Sequence, residues 1–198
     1  MGLKLVMTLL VRDEDDIVKQ NIDFHLRQGV DHIIATDNGS TDRTREILAT
    51  YQDKGVLHLI DEPGRNYLQA QWVNRMAAIA CERFAADLLF HCDADEFWCA
   101  ADGDLKSELA STPGLDLLFV KRFNVLLESR GGTEAFPRDM RFAVTGPLQR
   151  GPGATGGEPA NDLLFAIRDK VMLRTTSGPI PVGTGNHNVK RGPFIRML

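Results

Sequence analysis

The chain has 198 residues, 43% of them hydrophobic and 25% charged, which fits one globular domain large enough for a well-filled core. Its 23 basic and 27 acidic residues leave a formal net charge of -4, excluding recruitment of nucleic acid by an overall basic field. Cys81, Cys92 and Cys99 are odd in number and lack paired C-x-x-C spacing, which argues against a disulfide framework or zinc cluster and for reduced thiols in a cytoplasmic setting.

Leu3 to Val11 is a near-continuous apolar run. It is too short for a transmembrane segment and lacks the cleavage pattern of a secretory signal, so it reads as a central parallel strand covered on both faces. Val18, Ile22 and Leu26 recur at four-residue spacing and predict a helix, with Asp13 to Asp16 crowding its first turn and Gly29 at its C-terminus. A strand at His32 to Thr36 leads into Asp37-Asn-Gly-Ser-Thr-Asp42. A helix carrying Ile47, Leu48 and Tyr51 follows, with Ser40, Thr41 or Asp42 as its N-cap and a stop near Gly55. Val56 to Ile60 makes a third strand, Asn66 to Ala86 a long helix, and Leu88 to Cys92 a fourth strand. Repeated strand-helix-strand units of this length predict an α/β domain with a mostly parallel sheet and ligands at the strands' carboxyl ends.

Beyond Trp98 the pattern is less regular. Asp104 to Ala110 suggests a short helix, Leu115 to Leu127 another strand, and Leu163 to Thr175 a further return to strand character. Gly131-Gly132 and Gly146 to Pro159 are loop-like, and Gly183 to Asn188 is a glycine-flanked polar turn. No internal repeat or linker divides the chain.

The densest chemistry lies in Leu88-Leu-Phe-His-Cys-Asp-Ala-Asp-Glu-Phe-Trp98, where an apolar strand runs into Asp93-x-Asp95-Glu96. Carboxylates two residues apart at a strand end share one side of the sheet edge. Mg2+ and Mn2+ prefer such oxygens and often take only one or two of them, leaving positions for substrate phosphates. A solvated turn is the plainer explanation for an isolated D-x-D, and an Asx-turn or cap for an isolated D-N-G-S-T-D.

Leu10-Val-Arg-Asp-Glu14, Gly29-Val-Asp-His-Ile33, Asp37-Asn-Gly-Ser-Thr-Asp42 and Asp93-Ala-Asp-Glu-Phe97 occur in that order. Together they resemble the family 2 glycosyltransferases, in the branch with Asn at the second position of the D-x-G-S-T-D motif. The resemblance spans residues 3 to 126, with a weaker echo at Lys170 and Gly185-Asn-His187. It implies a single-domain, Rossmann-like GT-A fold and a nucleoside diphosphate sugar donor. It further implies transfer with inversion to a saccharide, lipid-linked or protein acceptor. Residues 1–98 would form the donor half and residues 99–198 the acceptor half, in the cytoplasm or at the inner face of a membrane. Val11, Arg12 and Glu14 would border the nucleotide, and Asp37 would receive its base or ribose. Asp93 and Asp95 would hold Mn2+ or Mg2+, directly or through water.

His187 is a candidate third ligand, with a structural histidine as the alternative; Gly183 and Gly185 would let backbone approach a ligand closely. Lys170 matches the family's late lysine and, like Arg168, would complement phosphate charge. The reaction also needs a general base at the acceptor hydroxyl. Glu158 and Asp162 are the acids placed for it, and Asp162 is the favoured one. Family members of this branch usually continue past the histidine turn, whereas this sequence stops at Leu198, which bears on the acceptor side.

Three other readings compete. A sugar-nucleotide pyrophosphorylase would open with a glycine-rich basic loop, where this chain has Arg12-Asp-Glu-Asp-Asp16. A phosphatase using D-x-D would carry the pair after its first strand. A non-catalytic nucleotide- or carbohydrate-binding module of the same fold is the remaining alternative.

Overall fold

The computed structural model describes residues 2–64, 68–101, 103–112, 114, 116–127, 140–145 and 167–175. The first apolar run forms β1 (Leu5–Val11), with Leu5, Met7, Leu9 and Val11 in one core and Val6 in another. Burial on both faces explains why the run is almost unbroken by polar residues. There follow α1 (Val18–Arg27), β2 (His32–Asp37), α2 (Thr44–Asp53), β3 (Leu57–Asp61), α3 (Gln69–Phe84) and β4 (Leu88–Cys92). Beyond them lie α4 (Leu105–Ala110), β5 (Leu117–Val120), β6 (Val125–Leu127), β7 (Met140–Ala143) and β8 (Lys170–Arg174).

Six strands form one sheet in the order β3-β2-β1-β4-β8-β5. The first four are parallel, while β8 runs antiparallel to both β4 and β5. The sheet is therefore mixed but mostly parallel and helix-flanked, as expected. Val18 and Ile22 of α1, Leu48 and Tyr51 of α2, and Leu105 and Leu109 of α4 share the core on one face. Val73, Met76 and Ala80 of α3 pack with Val6, Ile34 and Leu89 on the other. Each Val, Leu, Ile or Met side chain among them contributes about 1.5–3 kcal/mol when fully buried.

Register brings the strand ends together. Val11 pairs with Asp37, Asp37 with Asp61, and Leu9 with Cys92, so the loops opening at Arg12, Asn38, Glu62 and Asp93 leave the sheet along one edge. Two helices are stopped by the same device. Gly29 and Gly55 take φ of +87° and +74°, and the next N–H in each case returns to the helix, Val30 to the His25 carbonyl and Val56 to that of Tyr51.

Several local expectations shift. Helix α1 begins at Val18 with no acid in its first turn, because residues Asp13 to Asp15 are held instead by the loop after β2. The residue flanking α2 is Arg43, which supplies no side-chain cap, but Asp42 Oδ1 accepts the Thr44 N–H at 2.9 Å. The strand expected over Leu115 to Leu127 splits into β5 and β6, and β6 pairs with β7 in a separate two-stranded sheet. The break falls at Lys121 to Asn124, where the Arg122 guanidinium turns to Glu96 and to the Arg168 carbonyl. Strand β8 begins at Lys170, so Arg168 lies just before it and is exposed. Among the described residues, no helix is long and apolar enough to cross a membrane.

Candidate functional site

The loops after β1 and β2 are clasped by reciprocal hydrogen bonds. Asp13 Oδ1 accepts from the Thr41 N–H at 2.6 Å and its hydroxyl at 3.1 Å, while Ser40 Oγ accepts the Asp13 N–H at 3.0 Å. Thr44 Oγ1 accepts the Glu14 N–H at 2.7 Å, and Asp42 Oδ2 accepts that of Asp15 at 3.0 Å. Donation by the Thr41 N–H lowers the Asp13 pKa despite some desolvation. Gly39, at φ +65°, lets the second loop double back. Asp37 is only 2% exposed, and both its oxygens face Ser40, accepting from the hydroxyl and from the N–H at 3.3 Å. Asn38 Nδ2 donates to the carbonyls of Glu62 at 3.2 Å and Gly64 at 2.8 Å, drawing the loop after β3 alongside. Val11 is buried at the strand end, and Arg12 is exposed beside Asp13.

The three acids after β4 have distinct surroundings. Asp93 Oδ2 lies 2.7 Å from Lys170 Nζ, and its Oδ1 faces His91 Nε2 at 3.4 Å. Burial opposes ionisation there, but His91 and Lys170 outweigh it and hold the carboxyl well below the usual carboxylate range. Glu96 lies 2.6 Å from Arg122 and 3.1 Å from Lys170, and its Oε2 also accepts the Asp93 N–H at 3.1 Å. Lys170 is thus buried, a counter-charge between two acids.

Asp95 differs. The residue is exposed overall, yet partial desolvation of the carboxyl and then the charges of Glu96 and Asp93 push its pKa up. Glu14, half-buried on the loop after β1, is raised by burial first and by the charge of Asp95 next. Among the described residues, neither Glu14 nor Asp95 forms an ion pair. The sheet has brought acids from two loops, far apart in sequence, to one edge.

Helix α1 braces this loop from beneath. Fully buried Asn21 donates through Nδ2 to the carbonyls of Glu96 at 2.8 Å, Ala94 at 3.0 Å and Asp93 at 3.3 Å. His25, one turn on and equally buried, accepts the Trp98 N–H on Nε2 at 3.1 Å, leaving its proton on Nδ1, 2.9 Å from the Asn21 carbonyl. Burial lowers the His25 pKa to about 4. Buried Cys92 is a free thiol, pushed up by desolvation, 3.2 Å from the Asp93 carbonyl. Sequence reasoning overlooked Asn21 and His25. The signal was there, since both lie on the buried stripe of α1 with Val18 and Ile22.

The family model for glycosyl transferase family 2 matches residues 9–102, the segment that contains both clasped loops and the acidic loop. The match covers just under half of the chain and makes this segment similar to a family 2 glycosyltransferase domain. Its sheet has the GT-A architecture. The Staphylococcus aureus protein TarS, residues 1–349 in complex with UDP-GlcNAc, is similar in structure at 17% identity and a TM-score of 0.51, over 65% of this chain and 36% of that one. The same TarS segment in complex with UDP gives 15% identity, 65% and 38% coverage, and a TM-score of 0.48. Glucosyl-3-phosphoglycerate synthase from Mycobacterium tuberculosis, in complex with Mn2+, UDP and glucosyl-3-phosphoglycerate, is a looser similarity. It shows 18% identity over 59% of this chain and 43% of that chain, with a TM-score of 0.42. The chain thus spans less than half the length of these solved proteins. A search of curated proteins gave no match.

The matched segment carries part of the donor set that a hard cation takes. Among the described residues, no three His, Cys, Asp or Glu side chains converge into a preformed cage. Asp93 is already shared with Lys170, whereas Asp95 offers an exposed carboxylate with no ion pair among the described residues. One or two carboxylates with water and phosphate oxygens is the usual set for Mg2+ or Mn2+, so the residues present fit. His187 and Asp162 lie outside the described residues.

Proposed function

We propose that the matched segment is the donor-binding part of a metal-dependent, inverting glycosyltransferase that moves a sugar from a nucleoside diphosphate sugar to an acceptor hydroxyl. The observation that carries this reading is the strand register that sets the loops bearing Glu14 and Asp93 to Glu96 side by side at the carboxyl edge of a parallel sheet inside the family match. Clustered acids are stabilised by a cation, and a divalent cation draws in a diphosphate.

In this reading residues 1–98 bind the donor and residues 99–198 form the acceptor side. Asp95 and Asp93 hold Mn2+ or Mg2+, with His187 as a further ligand. The metal supplies charge stabilisation to the departing diphosphate. Val11, Arg12 and Glu14 border the nucleotide, and the exposed Arg12 guanidinium meets phosphate or ribose oxygens. Asp37 accepts from the nucleoside once Ser40 turns aside, since its carboxylate is otherwise closed. Lys170 keeps Asp93 ionised and sets positive charge behind the acids. Asp162 takes the proton of the attacking hydroxyl, which becomes the new glycosidic oxygen as the nucleoside diphosphate leaves.

The TarS complex with UDP-GlcNAc makes uridine diphosphate and its sugars the first ligands to try. Calorimetric titration of nucleoside diphosphates with and without Mn2+ tests the donor site, with Mn2+-dependent binding expected and Asp95→Ala abolishing it. Absence of metal-linked binding to any nucleotide would overturn the reading. Binding without turnover in any acceptor screen would favour the module that binds but does not catalyse, and full turnover by Asp162→Asn would remove that residue as base.

A further inference from the structure

The acidic loop hangs from two side chains of a different element. Four backbone groups between Asp93 and Trp98 are engaged by helix α1: the carbonyls of Asp93, Ala94 and Glu96 by Asn21, and the N–H of Trp98 by His25. These groups bracket Asp95, which makes no ion pair of its own among the described residues. Both side chains are fully buried, and they are linked to each other through the Asn21 carbonyl and His25 Nδ1 at 2.9 Å. A polar pair of this kind on the apolar stripe of a helix is costly to bury unless its bonds are made. Here every bond to the loop is to backbone, so the pair fixes main-chain path rather than the charge of any acid.

We propose that Asn21 and His25 are positioning residues of the donor site: by fixing the backbone from Asp93 to Trp98 they set the aim of the Asp93 and Asp95 carboxylates, and so the site's affinity for a divalent cation. This deepens the metal-dependent donor reading and rests on it. The Asn21 amide draws three carbonyls to one point, curling the loop so that Asp95 projects outward. His25 closes the far end, where Trp98 is itself buried against Phe90 with ring centroids 4.6 Å apart. Partners of this kind that orient a metal's ligands typically alter metal affinity by about 10–100-fold when removed.

The test compares Asn21→Ala, His25→Leu and His25→Gln with Ile22→Val, a core change on the same helix that makes no bond to the loop. Mn2+ binding is measured by electron paramagnetic resonance in the presence of UDP, and amide exchange by mass spectrometry. Asn21→Ala and His25→Leu are expected to weaken Mn2+ binding by about tenfold or more and to speed exchange across residues 94–98. His25→Gln, with an amide oxygen to accept the Trp98 N–H, is expected to restore both in large part. Ile22→Val should lower stability while leaving Mn2+ affinity unchanged. A folded His25→Leu with wild-type Mn2+ affinity and unchanged exchange at 94–98 overturns the proposal. If wild type fails to bind Mn2+ with UDP or any other nucleoside diphosphate, the donor reading falls, and exchange alone decides whether these residues position the loop. Should Asn21→Ala not fold, His25→Leu against His25→Gln gives the same decision.

Discussion

The ammonium of Lys170, at the start of antiparallel β8, lies 2.7 Å from Asp93 Oδ2 at the end of parallel β4. The lysine side chain is 1% exposed, and its second contact is Glu96 at 3.1 Å. Removing one partner of a buried pair leaves uncompensated charge behind. Lys170→Met is therefore expected to destabilise the fold by about 3 kcal/mol in urea unfolding, and Asp93→Asn in the same chain to recover part of that. An unchanged midpoint would show that water already compensates the acids.

Burial keeps His25 neutral, with its pKa near 4 against 6.5 for an ordinary imidazole. The unfolded chain thus binds a proton between these values that the folded one refuses. Its contribution is fully present above about pH 6.5 and is lost as pH falls from there toward 4, an effect on the order of 3 kcal/mol. Wild type should lose about that much more stability than His25→Gln between pH 7 and pH 4, read from urea midpoints at each pH. Parallel pH profiles for the two proteins would show that His25 titrates normally.

Gly29 and Gly55 end their helices alike but stand in different surroundings. A Cβ at Gly29 would lie 2.6 Å from Lys106 Cβ, whereas nothing comes within 4 Å of one at Gly55. Gly55→Ala should cost about 1 kcal/mol for its positive φ, and Gly29→Ala about 2 kcal/mol or more because α4 must shift. Equal losses would mean that α4 yields without resistance.

Ala85 closes α3 in the left-handed region at φ +49°. Glycine holds that conformation without a Cβ penalty, so Ala85→Gly should stabilise the protein by about 0.5–1 kcal/mol, seen as a rise of about 1–4 °C in melting temperature. A fall would point to an unrecognised contact of the Ala85 methyl.

Much of the fold was legible because its signals are local. The doubly buried run of β1, the Val18-Ile22-Leu26 spacing and the glycines at 29 and 55 each identify an element from a few neighbouring residues. The break of the strand after Val120 was not legible, since it depends on Arg122 reaching Glu96, 26 residues away. Likewise, the start of α1 depends on a loop some 27 residues on, which claims the acids that look like its first turn.

For the site, the sequence by itself determined which acids stand at strand ends: alternation and motif order suffice to put Asp37 and Asp93 at the carboxyl edge. Only the tertiary structure decided what those acids do there. It closes Asp37 onto Ser40, neutralises Asp93 and Glu96 with Lys170 and Arg122, and leaves Asp95 exposed with no ion pair among the described residues. The physical reason is that a carboxylate's behaviour is set by the charges and donors within a few ångströms of it. In this chain those neighbours come from α1, β8 and the loops after β1 and β5, which sequence spacing does not place.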